Sequence, residues 1–398
     1  MVSVASRTRT QVAVVGGGPA GLMLSHLLAR AGVDTVVVDH RATSEIETTH
    51  RAGILERDSV RLLVETGVYA EGEERVLTEG DRHGGIYLRF DGESHHIDFD
   101  ELVGAAVWLY PQTEVFVDLH RARTRDGGDL RYGISETSVH DVADTPRVRY
   151  RDPDGAVHEV SADLVVGADG SHSICRDLMT DGRASREYPF AWFGILCEAP
   201  KSAPELIYTR SDRGFALVSQ RTERVQRLYF QCDPTEDAAT WSDDRIWTEL
   251  QARLAGSDGF ALQEGPVLEK TVLPFRSFVQ TPMHSGRLVL AGDAAHTVPP
   301  TGAKGLNLAL ADARVLAEAV ERALAEHDLS ALSDYSDRAL ARVWRAQHFS
   351  YWMTMMLHRS GGVTDFDERR QRSELATLVS SRAGSTYLAE GYTGWPSR

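Results

Sequence analysis

Gly16, Gly18 and Gly21 stand in the spacing Gly-x-Gly-x-x-Gly, directly after the apolar run Gln11 to Val15 and at the head of a helical pattern. Glycines so spaced permit a tight turn and let a pyrophosphate approach the free amides of a helix N-terminus. Asp39 closes the next β-rich run, Thr35 to Val38, where a carboxylate can accept hydrogen bonds from a ribose. Strand, helix and acid together point to a dinucleotide site rather than an ordinary glycine turn.

Further candidates lie downstream. Gly167-Ala168-Asp169-Gly170 and Gly292-Asp293 each follow a strand pattern, and Pro299 to Asn307 leads into a helix. Arg210, Arg213, Arg221, Arg224 and Arg227 crowd one stretch, which reads equally as an anion-binding wall or a solvated edge strand. The histidines show no metal-ligand spacing, so no metal is expected. The 3 cysteines show no Cys-x-x-Cys, which argues against disulfides and against a pyridine-nucleotide disulfide reductase.

The elements that position these groups follow from periodicity. Ala20 to Ala31 repeats apolar residues at helical spacing, so residues 11–39 form a βαβ unit with parallel strands. Asp163–Gly167 and Arg287–Ala291 read as buried strands of the same sheet. Residues 188–232 alternate apolar and polar and carry many aromatics, as an antiparallel sheet does. Lys304 to the low 320s, and Leu332 to His358, are helical. At 398 residues more than one lobe is expected. The net charge of −15 argues against nucleic acid or anionic membrane as partners, and an anionic substrate then requires positive charge gathered locally. Neither a signal peptide nor a bilayer-spanning run is evident, so a cytoplasmic protein is expected.

With its three nucleotide-binding fingerprints in order, the chain resembles the flavoprotein monooxygenases. From Gln11 to Pro396 it resembles more specifically the p-hydroxybenzoate hydroxylase family. The marks are Arg51 to Glu56, Tyr110 to Glu114, Glu205 to Tyr208, Arg213 to Arg221 and Tyr351 to Thr354. The resemblance implies a mixed α/β fold: a Rossmann-like FAD-binding sheet, an interleaved antiparallel substrate sheet and a C-terminal helical region. Its expected divisions are 1–182 for FAD (with 75–110 on the substrate side), 183–290 for substrate, and 291–398 for the second FAD fingerprint and helices.

The same resemblance assigns residues. Ser219, Arg221 and Tyr229 would hold a substrate carboxylate. Tyr208 and Tyr392 would form a hydrogen-bonded pair reaching the substrate hydroxyl, with the Pro300 carbonyl beside it and His83 ending a proton relay. Oxygen delivered by reduced flavin is electrophilic, so the ring must be electron-rich, and a buried phenol needs such a relay to ionise. Asp39, Arg51, Gln112, Asp169, Asp293, Lys304 and Asn307 would contact FAD, Asp169 serving the nicotinamide as well. The helix opening near Ala303–Asn307 would favour the anionic reduced flavin. Arg227 would help the flavin move between buried and exposed positions, and His172 and Arg276 would meet the nicotinamide pyrophosphate.

One segment departs from the family. Glu45 stands where members have Tyr, and Thr49 where they have Arg, in the stretch that touches the adenosine end of the nicotinamide cofactor. Carboxylates there oppose a 2′-phosphate, so NADH is expected to serve at least as well as NADPH, although Arg41 could pair with the phosphate. The expected activity is 3-hydroxylation of 4-hydroxybenzoate to 3,4-dihydroxybenzoate with O2, by a homodimer. Alternatives are the same chemistry on 4-aminobenzoate or a dihydroxybenzoate, or a flavin redox sensor without turnover.

Overall fold

The computed structural model describes residues 6–48, 53–179, 182–362 and 364–395; Arg51 and Thr49 lie outside them. Strand Ser6–Val15, helix Pro19–Arg30 and strand Thr35–Asp39 make the βαβ unit. Its strands pair in parallel, Val12 opposite Thr35 and Val15 opposite Val38. Every residue of Thr35–Asp39 is buried, as strands covered on both faces must be. The sheet runs from 284–285 through 288–290, 157–167, 6–15 and 35–39 to 129–132, and strands 147–151 and 135–140 extend it beside 157–167.

A second sheet of eight strands is antiparallel except where Ile207–Ser211 pairs in parallel with Gly85–Phe90. Besides the aromatic stretch it takes in Glu93–Asp98 at one edge and Val267–Gln280 towards the other. Its two faces feed different cores. Tyr208, Leu217, Tyr229 and Trp192 belong to one cluster, with Phe275 and Tyr392. Ile207, Ala216, Val218, Leu228 and Phe230 belong to the other, beneath helix Asp243–Leu254. That division is the period-2 alternation of a strand. A third, three-stranded sheet joins Ile54–Glu56, Val107–Leu109 and Asp81–His83.

Helices Gly305–Glu326 and Ser330–Leu357 match the periodic patterns, while Gln112–Arg125, Asp365–Ser380 and Arg382–Thr393 add three not singled out from sequence. Among the described residues, no helix is long and apolar enough to cross a membrane.

Candidate active site

The first strand delivers Gly16 at φ 110°, a conformation that glycine alone adopts freely. A Cβ at Gly21 would lie 1.9 Å from the Gly16 carbonyl oxygen, so these two glycines serve the close packing of turn on helix. Gly18 differs: the nearest atom to a Cβ there is Arg41 Nη2 at 3.8 Å. It is the N-cap of helix Pro19–Arg30 and offers no side-chain acceptor to the first-turn amides. Those amides and the helix dipole are therefore free to meet an anion. Asp39 accepts a hydrogen bond from the Gly17 amide at 2.8 Å. Arg41 grips it through Nε at 3.0 Å and Nη2 at 2.7 Å.

A cavity of about 1320 Å³ reaches from this turn to the second sheet. Roughly 300–1,000 Å³ holds one drug-sized molecule, so the space suits a dinucleotide with a small substrate beside it. Gly16, Gly18, Asp39, Gln112, Asp169, Asp293 and Lys304 line it, with a second helix N-terminus at Gly305 and Leu306. The turn Pro300–Gly302 precedes that helix, Ala303 taking φ 53°. Asp293 rides on a short turn held where Asp312 accepts from the Gly292 amide at 3.0 Å and pairs with His296 at 2.6 Å. Asp169 accepts from Ser173 Oγ at 2.5 Å and the Cys175 amide at 3.2 Å, bracing its own loop as well as facing the cavity. A phosphate-ready helix end, a glycine cradle and a cavity of this volume fit FAD.

Asn307 is a correction. Its Oδ1 accepts from the Glu56 amide (2.9 Å) and Ser59 Oγ (2.7 Å). Its Nδ2 donates to the carbonyls of Ile54 (2.8 Å) and Ala303 (3.0 Å). With the amide fully engaged, its side chain ties helix to strand rather than facing a ligand.

On the substrate side, Tyr208 and Tyr392 hydroxyls lie 2.7 Å apart, both tyrosines buried. Burial pushes both phenols well above the ordinary tyrosine range; the hydrogen bond shared with Tyr392 partly offsets this for Tyr208. Ser219, Arg221, Tyr229 and Pro300 line the same cavity. Tyr208 stands opposite Leu217, and Leu217 opposite Tyr229, forming one row across three strands. Ser219 is two residues along from that row and Arg221 four, or about 7 and 13 Å at strand spacing. Burial depresses the Arg221 guanidinium, which stays cationic. Lys304 is buried, its Nζ donating to Glu56 at 2.6 Å and to the Tyr392 carbonyl at 2.8 Å; burial lowers its pKa against the pull of Glu56.

The structure does not bring His83 onto the tyrosine pair. It is fully buried, with Nε2 3.4 Å from Asp81 and Nδ1 without a hydrogen-bond partner. Burial lowers its pKa against the carboxylate of Asp81, so it is neutral at pH 7.

His172 and Arg276 are brought together, Arg276 donating to the carbonyl of Ser171 at 3.1 Å, and both line the cavity. Arg227 is buried against Glu269 (3.5 Å) and Tyr229 Oη (3.3 Å). Glu45 is exposed and accepts from the Ala42 amide at 2.6 Å, at the head of the short helix Thr43–Thr48. Sequence reasoning missed Glu269, Asp312 and Trp192 as parts of this region. Trp192 lines the cavity but had shown only as one of many aromatics in an alternating run.

The chain matches the family model described as FAD binding domain over residues 9–350. It is 41% identical over 392 residues to p-hydroxybenzoate hydroxylase of Acinetobacter baylyi, covering 98% of this chain and 96% of that protein. A Rhodococcus jostii protein named probable NADH-specific resorcinol 4-hydroxylase is 28% identical over 349 residues; the match covers 83% of this chain and 62% of that relative. Among solved structures, p-nitrophenol 4-monooxygenase from Pseudomonas putida DLL-E4 has a TM-score of 0.82 at 20% identity, covering 98% of this chain and 100% of that one. That likeness concerns the fold. Near-complete coverage at high identity, on a cavity that fits FAD, places this chain in the family of FAD-dependent aromatic hydroxylases.

Proposed function

We propose that this enzyme hydroxylates 4-hydroxybenzoate at C3, giving 3,4-dihydroxybenzoate and water from O2 and a reduced nicotinamide, with NADH at least equal to NADPH. The observation that carries this reading is the pairing of two unlike ends in one cavity. Arg221 and Ser219 lie along the strand on one side, and the Tyr208–Tyr392 hydroxyl pair lies a few residues back. A ring with a carboxylate and a phenol on opposite carbons presents those two ends.

FAD, when bound, accepts hydride from the nicotinamide and delivers oxygen to the substrate ring. The chain's part is to bind, orient and deprotonate. Ser219, Arg221 and Tyr229 hold the carboxylate, a charge-assisted contact contributing roughly 1.5–3 kcal/mol. The substrate hydroxyl donates to Tyr208 Oη, and Tyr208 in turn to Tyr392. Because burial keeps both tyrosines protonated, they pass a proton on rather than hold it. The Pro300 carbonyl is the hydroxyl's alternative acceptor, taking its single proton when Tyr208 does not. His83 has no bond to the pair, so a bridging water must carry the proton from Tyr392 to it, and Asp81, bonded to Lys201 at 2.8 Å and partly exposed, connects it to solvent. Arg227, His172 and Arg276 would serve the reduction step, the first by helping the flavin move between its buried and exposed positions and the others by meeting the nicotinamide pyrophosphate. The decisive experiment is product identification by chromatography with 4-hydroxybenzoate, 4-aminobenzoate and 2,4-dihydroxybenzoate under NADH and NADPH. Absence of 3,4-dihydroxybenzoate would overturn the reading.

A further inference from the structure

His358 is a buried titratable residue that the chemistry above does not use. It caps the C-terminus of helix Ser330–Leu357 and is 0% exposed, inside a box of aromatic rings. Its imidazole stacks on Phe190 at 4.7 Å and Phe215 at 4.4 Å, with Phe275 edge-on at 5.5 Å. Burial lowers its pKa to about 3, so the ring is neutral at every working pH.

The indole Nε1 of Trp192 lies 2.8 Å from His358 Nε2. An indole N–H only donates, so Nε2 must accept, and the proton of the neutral ring must be on Nδ1. Nδ1 is 2.9 Å from the carbonyl of Thr354, one turn back on the same helix, and donates to it. Both imidazole nitrogens are thus assigned, and the tautomer is fixed by its neighbours.

Trp192 carries this arrangement to the site. It lines the cavity, and its ring lies 4.7 Å from that of Tyr229 and 5.2 Å from Phe215, nearly parallel to the latter. The helix that supplies His358 also steadies the opposite wall, since Thr354 Oγ1 donates to Thr301 Oγ1 at 2.9 Å within the Pro300–Gly302 turn. A buried indole N–H left without an acceptor is unfavourable, and a rotation that regained a partner would move the ring off the chamber wall.

We propose that His358 is a positioning residue: by accepting the Trp192 N–H it holds the indole as the wall against which the substrate ring and Tyr229 are set. The inference rests on the 4-hydroxybenzoate reading, because substrate binding is its readout. The test is a double-mutant cycle on the FAD-loaded enzyme, reading the dissociation constant of 4-hydroxybenzoate by flavin absorbance. Trp192→Phe and His358→Phe should each weaken binding about tenfold, and the double variant no more than the weaker-binding single. Multiplicative losses approaching a hundredfold would overturn the proposal, since a general loosening of the core acts independently of Trp192. His358→Gln keeps an acceptor without the ring and should bind within threefold of wild type. If it binds as poorly as Trp192→Phe at unchanged Tm, the acceptor role is refuted, and this arm decides should His358→Phe fail to fold. Failure of wild type to bind or hydroxylate 4-hydroxybenzoate would instead sink the functional reading.

Discussion

Replacing Glu45 by Gln should raise kcat/KM for NADPH roughly 10- to 30-fold and leave NADH within about twofold. The structure strengthens the electrostatic case. Arg41, the cation in this stretch that could pair with a 2′-phosphate, is already held on Asp39 by two side-chain bonds of 3.0 and 2.7 Å. Glu45 is exposed on the helix that follows. At ~4 Å in water-like dielectric a carboxylate repels each unit of phosphate charge by about 1 kcal/mol. A phosphate near neutral pH carries about 1.5 to 2 such units, which gives the range above. Gln is the informative substitution because its amide oxygen can still accept from the Ala42 amide as the carboxylate does at 2.6 Å, so the helix start is retained while the charge goes. The assay is steady-state kinetics with both cofactors at saturating 4-hydroxybenzoate, repeated at 1 M salt. There the Debye length falls to about 3 Å and the discrimination should shrink. A wild type that prefers NADPH more than tenfold, or a variant with an unchanged cofactor ratio, refutes the reasoning.

Tyr208→Phe should bind 4-hydroxybenzoate normally but release peroxide in place of product, because the chain of hydroxyls that ends at Tyr392 is cut; oxygen-electrode and product yields per nicotinamide consumed check this. Arg221→Ala should weaken substrate binding by about 1.5–3 kcal/mol, measured as a flavin-absorbance titration, with little change in FAD content. Gly21→Ala should yield protein without bound FAD, since the added carbon falls 1.9 Å from the Gly16 carbonyl oxygen; a fully yellow variant would contradict the packing argument. Asp258→Asn should lower stability by about 1 kcal/mol at pH 7, since it removes the charge and one of the two acceptor oxygens, at 2.5 and 2.9 Å, from the buried Arg89 at a partly exposed carboxylate. Arg89 depresses the Asp258 pKa in the folded state, so this stabilisation is complete above the unfolded value near ~3.9 and fades as pH falls below it. Thermal melts of both proteins should therefore differ by a constant margin from pH 7 to about 5 and draw together only gradually below ~4, without meeting by pH 3.

What the sequence disclosed depended on how local each signal was. The glycine turn with Asp39, and the strands and long helices around it, follow from spacing over a few residues. The Tyr208–Tyr392 bond spans 184 positions, and no periodicity announces it; only likeness to a family placed the two together. Asn307 sits in a recognisable motif, yet its four bonds to Glu56, Ser59, Ile54 and Ala303 emerge only once the strand at 54–56 is laid beside the helix. His358 and Trp192 were invisible for the same reason: a partner 166 residues away leaves no mark on the neighbours of either. Nor could His83 be judged before its surroundings were seen, since burial and Asp81 define its state.

The two-sided sheet has a consequence for how such an enzyme can change over generations. Leu217, Ser219 and Arg221 face the chamber, whereas Ala216 and Val218 between and beside them pack beneath helix Asp243–Leu254. The residues that line the chamber and those that keep the sheet folded are thus interleaved in sequence but segregated in space. Substitutions at alternate positions can recast the chamber while the helix-covered side retains its packing, so new ring substituents can be explored one residue at a time without first losing a stable protein.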